Sequence, residues 1–146
     1  LSYPSAGNFD ETVGSAYAEI YPLTAGSNLE NVRLLTITGA VSGYMGYIAT
    51  GGPLTITDGT NFAASSGALE ANTLYKSASS WGGNGMSICK NGGTLGTGSF
   101  DGTLGTTITN LRVAWDGTSA QPDTCIQKVR IFNKQITNAQ ALAMTV

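Results

Sequence analysis

Nine carboxylates are the first candidates in this sequence for acid–base chemistry: Asp10, Glu11, Glu19, Glu30, Asp58, Glu70, Asp101, Asp116 and Asp123. The chain has no histidine, which removes the commonest general base and the Ser-His and Cys-His nucleophile pairs. Paired carboxylates alone can cleave a glycosidic bond if they face each other across the sugar. Acids that share a cleft from one strand must occupy alternate positions, because successive side chains point to opposite faces. No such cluster occurs, and the adjacent pair Asp10-Glu11 would diverge in an extended chain. No catalytic residue is assigned, and a glycosidase is kept only as an alternative.

Cation binding meets a similar obstacle. A hard cation takes several oxygen ligands, commonly with more than one carboxylate. Asp58 with Asn61, or Asp116 with the loop to Asp123, could contribute, yet neither has a dense D-x-D-x-D spacing. An Asp that hydrogen-bonds its own backbone in a turn accounts for both. No metal and no cofactor is expected. Cys89 and Cys125 are too few for a disulfide framework. Buried free thiols and a bridge between two strands both remain open.

Recognition of a polyol is better provided for. An aromatic ring covers the apolar face of a sugar, while Asn, Asp and backbone groups meet its hydroxyls. Trp81 stands in the stretch Ser79-Ser80-Trp81-Gly82-Gly83-Asn84-Gly85, which reads as a loop, with Asn84 close by. Tyr44 and Tyr47 flank Gly46 and face opposite sides of a regular strand. Trp81, Asn84, Tyr44 and Tyr47 are therefore the candidate ligand-binding residues. Trp81 folded back as a core plug or subunit contact is the competing reading. Tyr17 and Tyr21 share the polar side of their strand with Glu19 and offer a second aromatic face. Trp115 aligns with Leu111 and Val113 and is expected in the core.

The elements that must position these residues are short strands. Ser15 to Leu23 alternates Ala16, Ala18 and Ile20 against Tyr17, Glu19 and Tyr21, the period of a half-buried strand. Strand patterns recur over 31–38, 43–50, 54–57, 62–65, 72–78, 86–90, 107–115 and 125–132, with Asp58-Gly59 as a hairpin turn. Residues 91–105 are so glycine-rich that they read as turns or a mobile loop. In the last segment, Ile126, Val129 and Ile131 mark a half-buried strand. Thr137 then precedes Gln140 by the spacing of a capping box, ahead of the helix formers Ala139, Ala141, Leu142 and Ala143. About eight to ten short strands at roughly ten-residue spacing, with one closing helix, spell an antiparallel β-sandwich.

Composition agrees with that class. At 146 residues the chain is one domain, read as a lead-in arm over 1–12, anchored by Phe9, and a single sandwich over 13–146. Charged residues are only 11%, against roughly a quarter in ordinary proteins, so the surface is polar without being charged. A net charge of −2 gives no footprint for nucleic acid. No apolar run approaches the ~20 residues that a membrane-spanning helix needs, so no membrane insertion is expected. The first residues lack the pattern of a signal peptide, and the start at Leu1 suggests a piece of a longer protein.

The closing stretch Ile126–Gln140, the opening strand Val13–Ile20 and the segment Met86–Gly93 with its Asn-Gly turn resemble the concanavalin A-like, laminin G-like jelly-roll family. The resemblance implies an antiparallel jelly-roll sandwich with one short C-terminal helix. Within that family, the combination of A-Y-A-E-I-Y (Ala16–Tyr21), T-D-G-T-N (Thr57–Asn61) and V-R-I-F-N-K-Q-I-T-N-A-Q (Val129–Gln140) is similar to the small domains that end bacteriophage tail fibres. The host it suggests is a Gram-negative bacterium, Acinetobacter among them. That resemblance implies a non-catalytic, homotrimeric receptor-binding domain of the virion, made in the host cytoplasm with reduced cysteines, that recognises a bacterial surface polysaccharide or other receptor. The alternatives are a carbohydrate-binding module of a secreted protein and a purely structural trimerisation or head-fibre domain. The calcium cluster of many jelly-roll lectins is not found here.

Overall fold

The computed structural model describes the backbone of residues 2–4, 9–23, 33–38, 44–47, 53–104, 110–113 and 124–146, and the side chains of 9–23, 53–104 and 125–146. Among these described residues, eleven strands and one helix follow in chain order: β1 (Ser2–Pro4), β2 (Gly14–Pro22), β3 (Arg33–Thr38), β4 (Tyr44–Tyr47), β5 (Leu54–Thr57), β6 (Phe62–Ala64), β7 (Tyr75–Trp81), β8 (Met86–Lys90), β9 (Gly96–Gly98), β10 (Asn110–Val113), β11 (Thr124–Phe132) and α1 (Asn138–Met144). They form two antiparallel sheets, a six-stranded one ordered β1-β10-β3-β4-β5-β6 and a five-stranded one ordered β11-β2-β7-β8-β9. The chain is thus an antiparallel β-sandwich of jelly-roll type with one short C-terminal helix.

Alternation builds the core. Ala16, Ala18 and Ile20 of β2 face inward with Leu54 and Ile56 of β5, Tyr75 and Trp81 of β7, and Met86 and Ile88 of β8. The last strand reaches the same core through an irregularity. Ile126 and Val129 are three apart and would face opposite sides of a regular strand, but the β11–β2 register shifts between Ile126 and Lys128. The extra residue puts Ile126 opposite Ile20, Val129 opposite Ala18 and Ile131 opposite Ala16, all packed on the core.

The lead-in arm belongs to this architecture. Ser2–Pro4 adds an edge strand to the larger sheet, and Phe9 is buried against Trp81 with ring centroids 5.4 Å apart. The glycine-rich stretch also holds a strand that the sequence reading places in loop: β9 pairs with Met86, Ser87 and Ile88. Its glycines answer to a close approach between the two sheet edges. A Cβ on Gly96 would lie 1.8 Å from the carbonyl oxygen of Ala64. Trp115 and the loop 116–123 lie outside the described residues.

On the outer face of the smaller sheet, Tyr17, Ala78 and Cys89 receive α1 through Ala141, which is fully buried. The expected capping box is present: the Thr137 hydroxyl accepts from the Gln140 N–H at 3.2 Å, and the Gln140 carboxamide oxygen accepts from the Thr137 N–H at 2.8 Å. Both cysteines are free, Cys89 buried beneath α1 and Cys125 exposed on β11. Two strands, β2 and β7, lie between theirs, a separation of roughly 14 Å at ~4.8 Å per strand. A disulfide cannot span that distance.

Candidate functional site

Cross-strand register assembles a row of hydroxyls that no segment of the sequence contains. Ser15 of β2 pairs with Ser80 of β7, Ser80 with Ser87 of β8, and Ser87 with Thr97 of β9. The row runs on the outer face, beside the row of Tyr17, Ala78 and Cys89 that α1 covers. Ser15 donates to the Lys134 carbonyl at 2.8 Å, which ties the end of the β11 turn to the sheet. The Ser80 and Ser87 hydroxyls bond each other at 2.9 Å. Their small size leaves room where the segment leading into α1 passes over them.

Gln135 holds that segment at its distance. Its carboxamide oxygen accepts from the Asn84 N–H at 3.3 Å, and its Nε2 donates to the Gly85 carbonyl at 2.9 Å. The link joins the β7–β8 turn to the approach of α1. Between them lies a cleft of about 360 Å³, floored by Ser80 and Ser87, with Thr97, Asn84, Gln135 and Asn138 on its walls. Among the described residues, the exposed carboxamides of Asn84 and Asn138 and the hydroxyl of Thr97 have no side-chain partner. Among the described residues, none that lines the cleft titrates near neutral pH.

A second depression of about 210 Å³ opens at the other end of α1, among Tyr17, Glu19, Lys128, Arg130 and Met144. Here Tyr17, Glu19 and Lys128 satisfy one another. Glu19 Oε1 accepts from the Tyr17 hydroxyl at 2.8 Å and from Lys128 Nζ at 2.8 Å. The Lys128 bond, and then the Tyr17 bond, hold the Glu19 carboxyl below its usual range. Burial, and then the bond to Glu19, push the Tyr17 phenol up to about 12.

Each residue proposed from sequence now has a place. Trp81 is not in a loop. It ends β7, is 1% exposed, and its indole N–H donates to the Asp10 carbonyl at 3.0 Å. With one face on Phe9 and the rest in the core, its ring offers no surface to a sugar, so the core-plug alternative describes it. Asn84 lies on the cleft wall. Tyr44 and Tyr47 are on β4, opposite Thr57 and Leu54 of β5; their side chains lie outside the described residues. Tyr17 is 8% exposed beneath α1 and forms no open aromatic face. Among the described residues the most exposed aromatic is Phe62 on β6, at 66%, which the sequence pattern did not single out.

Asp58, weighed as a cation ligand, is 1% exposed and fully engaged by protein donors. One oxygen accepts from the Thr60 and Asn61 N–H groups at 2.8 and 2.6 Å, the other from Asn61 Nδ2 at 3.1 Å and the Asp101 N–H at 3.0 Å. Burial works to raise its pKa, but these donors outweigh it and hold the carboxyl below its ordinary value. It is a turn-forming Asp that also fastens the 101 loop. Among the described residues, no three of His, Cys, Asp or Glu converge.

No protein-family model and no curated protein matches the chain. Solved structures share its fold. Domain 4 of AbnA, a GH43 extracellular arabinanase from Geobacillus stearothermophilus, solved in complex with arabinotriose, superposes with a TM-score of 0.70 at 9% identity, over 94% of this chain and 68% of that one. The native heptameric SAP-like pentraxin from Limulus polyphemus gives 0.62 at 13% identity, over 93% and 70%. A mutant of Trypanosoma rangeli sialidase displaying trans-sialidase activity gives 0.55 at 12% identity, over 90% of this chain but 22% of that one. At such identities the likeness establishes a β-sandwich fold.

Proposed function

We propose that this chain is a non-catalytic glycan-binding domain whose ligand occupies the cleft over Ser80 and Ser87. The observation that carries the reading is the lining of that cleft, where hydroxyls and carboxamides stand ready and, among the described residues, none acts as acid or base. Its volume falls within the roughly 300–1,000 Å³ of small-molecule sites. The arabinotriose complex of the structurally similar arabinanase domain supports a sugar as the ligand class.

As its setting we propose the end of a bacteriophage tail fibre, where a homotrimer of the domain recognises a bacterial surface polysaccharide or other surface receptor as part of the virion. The resemblance of Ala16–Tyr21, Thr57–Asn61 and Val129–Gln140 to such domains supports this. The second reading, a carbohydrate-binding module attached to a secreted protein, is favoured by the likeness to domain 4 of an extracellular arabinanase.

Light scattering and cell binding on the purified domain separate them. A mass of about 45 kDa, three times the 15.0 kDa chain, together with adsorption to host cells that Thr97→Trp abolishes, supports the fibre reading. A monomer that binds a soluble glycan through the same cleft supports the module. A trimer that binds neither cells nor glycans contradicts both and leaves a structural role.

A further inference from the structure

Resting on the glycan reading, we infer that the cleft takes a neutral sugar unit, held by hydroxyl and carboxamide hydrogen bonds without charge pairing and without aromatic stacking. The lining carries no Lys, Arg, Asp or Glu and no Phe, Tyr or Trp among the described residues. The nearest run of charged side chains on this face, Glu19, Lys128 and Arg130, belongs to the depression at the opposite end of α1. Lys134 precedes Gln135 but is exposed and not part of the lining.

The chemistry of the lining discriminates between ligand types. Each serine hydroxyl has one proton and two lone pairs, and the Ser80–Ser87 bond uses one proton and one lone pair. At 1% and 4% exposure these two hydroxyls are spent on each other, and the groups open to a ligand are the Thr97 hydroxyl and the carboxamides of Asn84 and Asn138, which offer both donors and acceptors. A sugar hydroxyl, which donates as well as accepts, can meet all of these groups. A carboxylate or sulfate only accepts. It would leave the carboxamide oxygens unmet and would lose its hydration with no cation to replace it, a costly exchange.

The floor is also rigid. Ser80 and Ser87 sit on two interior strands of their sheet, 1% and 4% exposed, so hydroxyl positions are fixed before the ligand arrives. The exposed ring of Phe62 lies on the other sheet and takes no part.

The test is calorimetric titration of the whole domain with neutral arabino-, galacto-, gluco- and mannooligosaccharides and with sialylated, uronate and sulfated ones. It is run at low and high salt, about 50 and 500 mM, where the screening length falls severalfold. The expected result is binding confined to the neutral set, with affinity changing less than about twofold between the two salts. The double variant Asn84→Ala/Asn138→Ala removes the two exposed carboxamides from the cleft wall and is expected to weaken binding by about tenfold or more. Thr97→Trp at the rim abolishes binding, and Phe62→Ala leaves it unchanged.

Binding confined to the acidic glycans, or affinity that collapses at high salt, overturns the inference while leaving a glycan-binding domain. Loss of binding in Phe62→Ala with retention in Thr97→Trp does the same. No binding to either set overturns the glycan reading itself, and the inference falls with it.

Discussion

Replacing Trp81 by alanine separates a core plug from a ligand platform, because the two roles predict opposite results. The side chain is 1% exposed, stacks on Phe9 at 5.4 Å and bonds the Asp10 carbonyl at 3.0 Å. Emptying a buried Trp site costs about 3–5 kcal/mol. Part of this is the hydrogen bond, worth about 1 kcal/mol, and the aromatic pair, worth about 0.5–1.5 kcal/mol. With a urea dependence of about 1–3 kcal/mol per molar, a loss of ~4 kcal/mol lowers the unfolding midpoint by more than about 1 M. That is a large share of the roughly 5–15 kcal/mol that holds a domain together. Circular dichroism in urea reads the midpoint directly. Trp81→Phe keeps the ring contact but loses the N–H, and is expected to cost about 1–2 kcal/mol. Gly14→Ala attacks the same seat from the other side, since its Cβ would stand 2.3 Å from Trp81 Cζ2 with the Phe132 carbonyl 3.0 Å away; about 1–3 kcal/mol is expected. A Trp81→Ala protein with an unchanged midpoint and lost glycan binding would refute this reasoning and return the indole to the ligand.

Three further outcomes follow from the same geometry. Gly96→Ala drives a Cβ to 1.8 Å from the Ala64 oxygen, backbone against backbone, so β9 must lift; a loss of about 1–3 kcal/mol in urea melts and weaker glycan binding through the displaced Thr97 are expected. The Asp58 carboxyl is held below its ordinary value in the folded state, so its stabilisation is present above about pH 4 and is lost as pH falls through the lowered folded value. Melting temperature should drop on that acid limb, and Asp58→Asn, which cannot accept the same bonds, should flatten the drop while lowering stability at pH 7. Cys125 is exposed and Cys89 buried, and burial raises the Cys89 thiol's pKa despite the Thr145 bond; a thiol reagent should modify one cysteine at once and the second only on unfolding.

Much of the framework was legible because alternation is a local signal. β5 and β8 run over Leu54–Thr57 and Met86–Lys90, the bounds their apolar spacing predicts. The helix start followed from the geometry of one Thr-x-x-Gln box. Trp81 was misplaced because Ser79-Ser80, followed by glycines and an asparagine, has the composition of a loop. Serine is small enough to line both faces of a buried strand, and here Ser77, Ser79 and Ser80 are all under 2% exposed. β9 escaped notice for a related reason: glycine weakens a strand in general, and only the approach of Ala64 and Phe62 explains why it is required. The cleft itself was beyond reach. Its lining joins positions 80, 87 and 97 through register across three strands, and register is a property of the sheet rather than of any segment. Asn84 was singled out for its nearness to Trp81, yet it reaches the cleft through Gln135.

The most direct test of the account is a ¹H–¹⁵N NMR titration of the domain with a neutral oligosaccharide selected by calorimetry. The account predicts amide shifts concentrated at residues 84–87, 97 and 135–139, with little change at Phe62 or around Glu19 and Arg130. Shifts centred on Phe62 or on the charged depression, with the cleft amides unmoved, would contradict it.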